Sequence, residues 1–543
     1  MAEDVLHQHS GPNVTWSRVN MAESVVGVQT PLSWCCWDEM GERAFRLGYR
    51  QLKLVPKSFL EIPASIDEQF TAVFYGQGAC NLDAFRVALA AMPGNARDAA
   101  EEGFFGSQGN GRRDAVTTRR RITVRVWLPL YARSAPRHLA RIRDSSRSRW
   151  HAALAELPTA DRALATRRLH EAIGHAADEI AAQIAVSTLT GMAHGAIQNL
   201  LARTSHADLE MKIIGGYGHT EELDVAQAMW DAAHERLPLA DILGQYGFHG
   251  PAEGELSSST WREEPHPIES LVSSFRRMAD DADPRTAERG ATAAREEAEG
   301  AVLASLHGRE RRKARRVLAK GRRIIPLRVV AKAAFTQTFD VARIAARVVG
   351  ARLVSEGRLD HADDVFYLSL AELDAVPDDL RSIVAERRTQ RDAYHDIELP
   401  LMWTGMPEPL PIAPVDRGRF EETAAAASAA AIGVSAGVVD GVAHVLADPG
   451  DPSDFAPGDI LVCHTTDPSW TSYFLMASGV VIDIGGTLSH GAIVARELGI
   501  PCVMNYPGTR LLHTGDRIRI DGTAGSVTVL ERKSANAFPA AEA

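Results

Sequence analysis

Two textures of apolar residues divide this chain, and they set what it can fold into. Residues 136–237 and 283–373 are dominated by Ala, Leu, Arg and Glu, with apolar side chains at helical spacing, as at Leu169, Ile173, Ala176 and Ile180. A stripe with that period is buried as one face of a helix, so a largely helical body is expected over 136–414. From 434 to 533 the texture changes to short β-type runs between glycine turns: Gly441-Val-Ala-His-Val-Leu446, Asp459-Ile-Leu-Val-Cys463, Gly479-Val-Val-Ile-Asp-Ile484, Arg517-Ile-Arg-Ile520 and Ser526-Val-Thr-Val-Leu530. These predict strands packed with a few helices.

The remaining segments punctuate that division. Residues 1–135 mix apolar runs with turns, as in Val73-Phe-Tyr75 before Gly76, and Ile122-Thr-Val-Arg-Val-Trp127 alternates as a strand does, so an α+β part is expected there. Residues 94–113 are rich in Gly, Asn and charge and read as a surface loop. The stretch from Tyr246 to Trp261 carries too much Gly, Pro and Ser for a continuous helix and reads as a loop able to line a site. A low-complexity joint, Thr423-Ala-Ala-Ala-Ala-Ser-Ala-Ala-Ala-Ile-Gly433, marks a hinge over 415–433, and 534–543 reads as a disordered tail. The fold class expected is α/β and multidomain.

Charge and cysteine content narrow the function. The 543 residues hold 59 Lys and Arg against 70 Asp and Glu, a formal charge of −11, which argues against coating nucleic acid through bulk charge. The 5 cysteines contain no Cys-x-x-Cys pair, so neither a disulfide framework nor a thiolate zinc site is indicated. The N-terminal residues lack the pattern of a secretory leader, and no stretch of about 18 uninterrupted apolar residues follows, so the expected compartment is the cytoplasm.

One motif carries chemistry: Gly485-Gly-Thr-Leu-Ser-His490-Gly-Ala-Ile-Val-Ala-Arg496-Glu-Leu-Gly-Ile-Pro501. A strand delivers a paired-glycine turn, and a helix over 489–498 begins beneath an imidazole, ending at Gly499 before Pro501. An imidazole nitrogen is a nucleophile toward phosphorus when its other nitrogen is held, and helix N-terminal N–H groups stabilise the charge it accepts. Gly485, Gly486, Thr487, Ser489, Gly491 and Arg496 are the residues expected to support phosphate around His490. Taken alone, the same pattern also fits a histidine that caps a helix after an ordinary tight turn.

The surroundings of His490 resemble the mobile phosphohistidine domain of the phosphoenolpyruvate-utilising enzymes, with a layout similar to that of the rifampicin phosphotransferases. The likeness spans Pro457-Gly-Asp-Ile-Leu-Val462, Thr466-Asp-Pro-Ser-Trp470, the glycine-histidine stretch and Asp521-Gly-Thr-Ala-Gly-Ser-Val527. It implies a swivelling β/β/α domain whose histidine, at the place of His490, is phosphorylated and moves between two active sites. Leu488 stands where the synthases and dikinases carry Thr. The rest of the chain resembles the acceptor-binding part of the rifampicin phosphotransferases, in Trp16-Ser-Arg-Val-Asn-Met-Ala-Glu23, Gly244-Gln-Tyr-Gly-Phe-His-Gly250, Trp261-Arg-Glu-Glu-Pro265 and Gly357-Arg-Leu-Asp-His-Ala-Asp-Asp-Val-Phe-Tyr-Leu368. The relatives' Arg-Glu-x-x-Lys register reads Arg328-Val-Val-Ala-Lys332 here, with Val329 in the acidic place. Arg328 and Lys332, four apart on one helical face, are expected to neutralise the phosphoryl group in flight.

No Gly-x-x-x-x-Gly-Lys-[Ser/Thr] loop occurs, and the resemblance places an ATP-grasp domain outside this sequence, so a separate ATP-grasp partner is expected, with Mg²⁺ accompanying its ATP. His249, Glu253 and Glu255 lie close together in the glycine-rich loop and are candidates to position an acceptor or bind Mg²⁺. The basic run from Arg309 to Arg323 reads first as a solvated helix face. Three functions follow. In the leading one, His490 passes phosphoryl from ATP to a small-molecule acceptor in the helical body. A component using phosphoenolpyruvate and a non-catalytic scaffold are the rivals.

Overall fold

The computed structural model describes residues 4–19, 21, 24–92, 117–218, 221–410, 431–446, 455–466, 470–486 and 489–533. In chain order the main helices are α1 (Pro31–Gln51), α2 (Thr118–Glu156), α3 (Arg162–Leu201), α4 (Glu221–Ala233), α5 (Leu239–Tyr246), α6 (His266–Phe275), α7 (Pro284–Ala304), α8 (Gly308–Ile324), α9 (Leu327–Ser355), α10 (Leu380–His395), α11 (Thr471–Met476) and α12 (His490–Leu498). The strands are β1 (Thr15–Ser17), β2 (Thr71–Phe74), β3 (Gln77–Asn81), β4 (Met402–Thr404), β5 (Ile432–Ser435), β6 (Val438–Val445), β7 (Ile460–Cys463), β8 (Gly479–Ile482), β9 (Cys502–Met504), β10 (Arg517–Asp521) and β11 (Ser526–Glu531). They form two compact units. The first joins Met1–Ala207, Phe248–Thr260 and Ala301–Ile412, and the second joins Asp208–Gly247, Trp261–Gly300 and Ala413–Ala543.

In the first unit α1, α2, α3 and α9 pack around a core that includes Trp37, Leu169, Ile173, Phe339 and Leu353. α3 is long and apolar enough to cross a membrane by length and composition, yet its most apolar window is 72% buried, as suits a core helix. A four-stranded antiparallel sheet in the order β2-β3-β1-β4 flanks the helices, and Trp16 pairs across it with both Asn81 and Trp403. The α+β character expected of the N-terminal part is present, completed by a strand from 402–404.

The alternating run Ile122–Trp127 is helical, lying inside α2, and not a strand as its pattern suggests. Val124, Leu128, Tyr131, Ala135 and Leu139 are the buried residues at helical spacing, and burying that longer stripe outweighs the short alternation, leaving Ile122 and Val126 60% and 61% exposed. The loop expected at 94–113 and the tail at 534–543 lie outside the described residues, as does the hinge up to residue 430.

The helical body expected as one piece over 136–414 is divided. Residues 208–247 and 261–300 cluster with the C-terminal residues, because the apolar faces of α4 and α6, with Leu223, Trp230, Ile268 and Phe275, share one core with Phe455, Leu461, Trp470, Phe474, Ala492 and Leu498. Helical periodicity shows that a face must be buried and is silent on what buries it.

The second unit is built on a seven-stranded sheet in the order β11-β10-β6-β7-β8-β9-β5. β6, β7, β8 and β9 run parallel at its centre, and the flanking pairs are antiparallel. β7 and β8 are buried on both faces, which explains their unbroken apolar sequences. Successive side chains alternate between two layers: Ile460, Val462 and Val481 join one core, and Leu461, Val480 and Ile482 join the core shared with α4 and α6.

Candidate active site

The chemistry sits at the carboxyl end of β8, where open α/β sheets place their ligands. After Ile482 the chain turns through Asp483, whose carboxylate lies 3.1 Å from His464 Nδ1 and accepts the Thr509 backbone N–H at 3.1 Å. Gly485 donates its N–H to Asn505 Oδ1 at 3.2 Å, and a β-carbon there would fall 2.6 Å from Met504 Sδ. Gly486 accepts the Ser489 N–H at 2.9 Å, closing the turn that starts the helix.

Ser489 is the N-cap of α12, its hydroxyl accepting the Ala492 N–H at 3.3 Å. The helix ends at Gly499 in the left-handed conformation, φ 69°, as the sequence predicts. His490 is therefore the first helical residue, at the positive end of the helix dipole. A β-carbon on Gly491 would lie 2.6 Å from Thr466 Oγ1 and 2.8 Å from Ile482 Cδ1, so this glycine lets the first turn pack against the sheet. Close packing accounts for Gly485 and Gly491, and turn closure for Gly486. Thr487 and Leu488 lie outside the described residues.

Arg496 lies at the far end of the helix from His490. Six residues beyond His490, it lies about 9 Å further along the axis, in the last turn, and its Nη1 donates to the Val434 carbonyl of β5 at 3.0 Å. It ties the helix to the sheet edge. Its neighbour Glu497 is buried and accepts the backbone N–H groups of Tyr217 and Gly218, each at 3.2 Å. Burial pushes the Glu497 carboxyl above its ordinary range, and these two donors partly offset that rise.

The turn at 215–218 leads toward α4, and α4 supplies a residue that the sequence did not reveal. Glu222, in its first turn, places Oε1 3.2 Å from His490 Nδ1, and the two side chains are 6% and 8% exposed. Acidic residues in a first helical turn are commonplace because they complement the dipole, so nothing in the local sequence singles this one out.

In the first unit, Arg328 and Lys332 stand in the first turns of α9 and share a face by their spacing. The Val329 side chain lies outside the described residues. The loop expected to line a site is threaded through the core. His249 Nδ1 lies 2.5 Å from Glu253 Oε1, and its ring packs on Phe248 with centroids 4.2 Å apart. Glu255 serves a structural purpose: it accepts Thr30 N–H at 2.8 Å, Thr30 Oγ1 at 2.7 Å and Ser33 Oγ at 2.6 Å, capping α1. Arg343 fixes the loop by donating to the Glu253 and Glu255 carbonyls at 3.2 and 3.1 Å. Among the described residues no group of three His, Cys, Asp or Glu side chains is placed to hold a metal ion.

Comparison with known proteins agrees with this geometry. Residues 455–525 match the model of the PEP-utilising enzyme mobile domain, which is the segment built from β7 to β10 and carrying His490. Residues 236–328 match the model of the rifampicin phosphotransferase fourth domain. An uncharacterized protein of Mycobacterium tuberculosis is 31% identical over 340 residues, 62% of this chain and 36% of that protein. A rifampicin phosphotransferase of Streptomyces sviceus is 29% identical over 334 residues, 59% of this chain and 37% of its own. An uncharacterized phosphotransferase of Bacillus subtilis is 34% identical over 198 residues, 35% and 24% respectively. The aligned stretch thus spans between about a quarter and little more than a third of these relatives' length.

Proposed function

We propose that this chain is a phosphotransferase component in which His490 is transiently phosphorylated and hands the phosphoryl group to a small molecule. The observation that carries the reading is the imidazole itself: the first residue of a capped helix, at the carboxyl end of a parallel strand, with a carboxylate 3.2 Å from one ring nitrogen. That arrangement gives a nucleophile a held ring and gives the arriving phosphate a set of backbone N–H donors. The matched mobile-domain and rifampicin-phosphotransferase segments support it.

In this reading the donor is ATP, held with Mg²⁺ by a separate ATP-grasp protein, and the reaction takes place in the cytoplasm. The acceptor is a hydroxyl or carboxylate bound in the helical unit, where Arg328 and Lys332 neutralise the equatorial oxygens of the transferring group. A swing of the domain carrying His490 about the segment near 415–433 links the two half-reactions. The test is to incubate the chain with ATP, Mg²⁺ and an ATP-grasp protein, or with phosphoenolpyruvate, and to assay protein-bound phosphate. An acid-labile, alkali-stable phosphate obtained with ATP and absent from His490→Ala supports the reading. Labelling from phosphoenolpyruvate alone reassigns the donor, and equal labelling of His490→Ala removes His490 from the reaction.

A further inference from the structure

We propose that Glu222 is the positioning residue of His490, fixing which ring nitrogen takes the phosphoryl group. This rests on the phosphohistidine reading and adds to it a residue from outside both matched segments, which cover 236–328 and 455–525. A neutral imidazole carries one proton, on Nδ1 or Nε2, and a carboxylate beside one nitrogen selects the tautomer with its proton there. Glu222 Oε1 stands 3.2 Å from Nδ1 with both side chains almost wholly buried, so water does not compete effectively for the bond. In this proposal the proton is held on Nδ1, and the lone pair of Nε2 is the nucleophile.

The charges balance around this pair. The Nε2 lone pair forms the N–P bond as the P–O bond to the leaving phosphate oxygen breaks, and that oxygen departs with the electron pair. No proton is lost, so the ring becomes an N-phosphorylated imidazolium, still protonated on Nδ1, with the Glu222 carboxylate against its positive charge. When the acceptor oxygen takes the phosphoryl group, the N–P electrons return to Nε2 and the ring is neutral again; a hydroxyl acceptor releases its proton to water, and a carboxylate acceptor has none to lose. Buried carboxylates act in this way on other histidines, holding tautomer and orientation and stabilising the cation that forms.

The direct test reads the tautomer. In full-length protein labelled with ¹⁵N-histidine, the His490 resonances are assigned by their loss in His490→Ala. The proposal predicts a proton on Nδ1 in the wild type, retained in Glu222→Gln, whose amide oxygen still accepts it, and a mixed or inverted tautomer in Glu222→Ala. An Nε2–H ring in the wild type, or one unchanged in Glu222→Ala, overturns it. This arm needs no phosphotransfer, so it separates failure of the Glu222 assignment from failure of the phosphohistidine reading.

A second arm uses phosphorylated protein. Glu222→Ala is expected to slow phosphorylation by about 10- to 100-fold, the scale on which carboxylate partners of metal-ligating histidines act. It should also yield Nδ1-phosphohistidine beside the Nε2 isomer, by ³¹P NMR, whereas Glu222→Gln keeps Nε2 selectivity at reduced rate. Unchanged rate and isomer in a folded Glu222→Ala would reduce the contact to packing.

Discussion

Glu179 shows what the interior of the helical unit does to an acid. It is 2% exposed on α3, and one carboxylate oxygen accepts from Thr338 Oγ1 at 3.0 Å and from Arg149. Burial pushes its pKa up to about 8, against the lowering effect of Thr338 and Arg149. In the unfolded chain a glutamate ionises near pH ~4.3, so between that value and about 8 the folded form binds more protons and stability falls as pH rises. Below the unfolded value the contribution is fully present, and above the folded value it is gone. Glu179→Gln should remove this slope: between pH ~6 and ~9 the wild type loses more thermal stability than the variant, and parallel melting shifts would contradict the assignment. His490 was legible in the sequence because a strand, a glycine pair and a helix start follow one another within a single short motif. Glu222 was not, since its partner lies far along the chain and the contact exists only after α4 docks.

Among the elements, α9 and α12 differ in what a small residue does. Gly350, within α9, would place a β-carbon 2.0 Å from the Ala362 carbonyl oxygen, a backbone atom that cannot swing aside. Ala gains about 1 kcal/mol of helix propensity over Gly, while overpacking costs about 1–3 kcal/mol, and a clash with backbone falls at the costly end. Gly350→Ala is therefore predicted to destabilise the helical unit in urea unfolding, and a stabilised variant would show that the helix has room to shift. In α12 the cap hydroxyl is the replaceable part. Ser489→Ala should cost about 1 kcal/mol in the stability of the second unit and leave the helix in place, as judged by unfolding midpoint and circular dichroism. The bounds of α12 were legible from the Gly485-Gly486 turn and Gly499, whereas Ile122–Trp127 was not, because six alternating residues fit a strand and one side of a long helix equally well.

Across the whole chain, the least legible feature is which segments share a core. Residues 208–300, apart from Phe248–Thr260, belong with the C-terminal sheet, although their sequence texture continues that of the helices around them. Phe275, fully buried among residues of α4 and the sheet layer, reports on this division. Phe275→Ala should cost about 3–5 kcal/mol and raise hydrogen exchange in β7 and β8 while leaving α3 protected. Exchange that rose in α3 instead would place the segment in the other core.

The phosphoryl chemistry assigned to His490 is open to one direct measurement. The chain, incubated with ATP, Mg²⁺ and an ATP-grasp protein, is digested and its peptides are sequenced by mass spectrometry at neutral to alkaline pH. The account predicts the mass of one phosphoryl group on the peptide that begins α12, with fragment ions placing it on His490. Phosphate found on any other residue, or a peptide that stays unmodified with every donor while the protein remains folded, would contradict it.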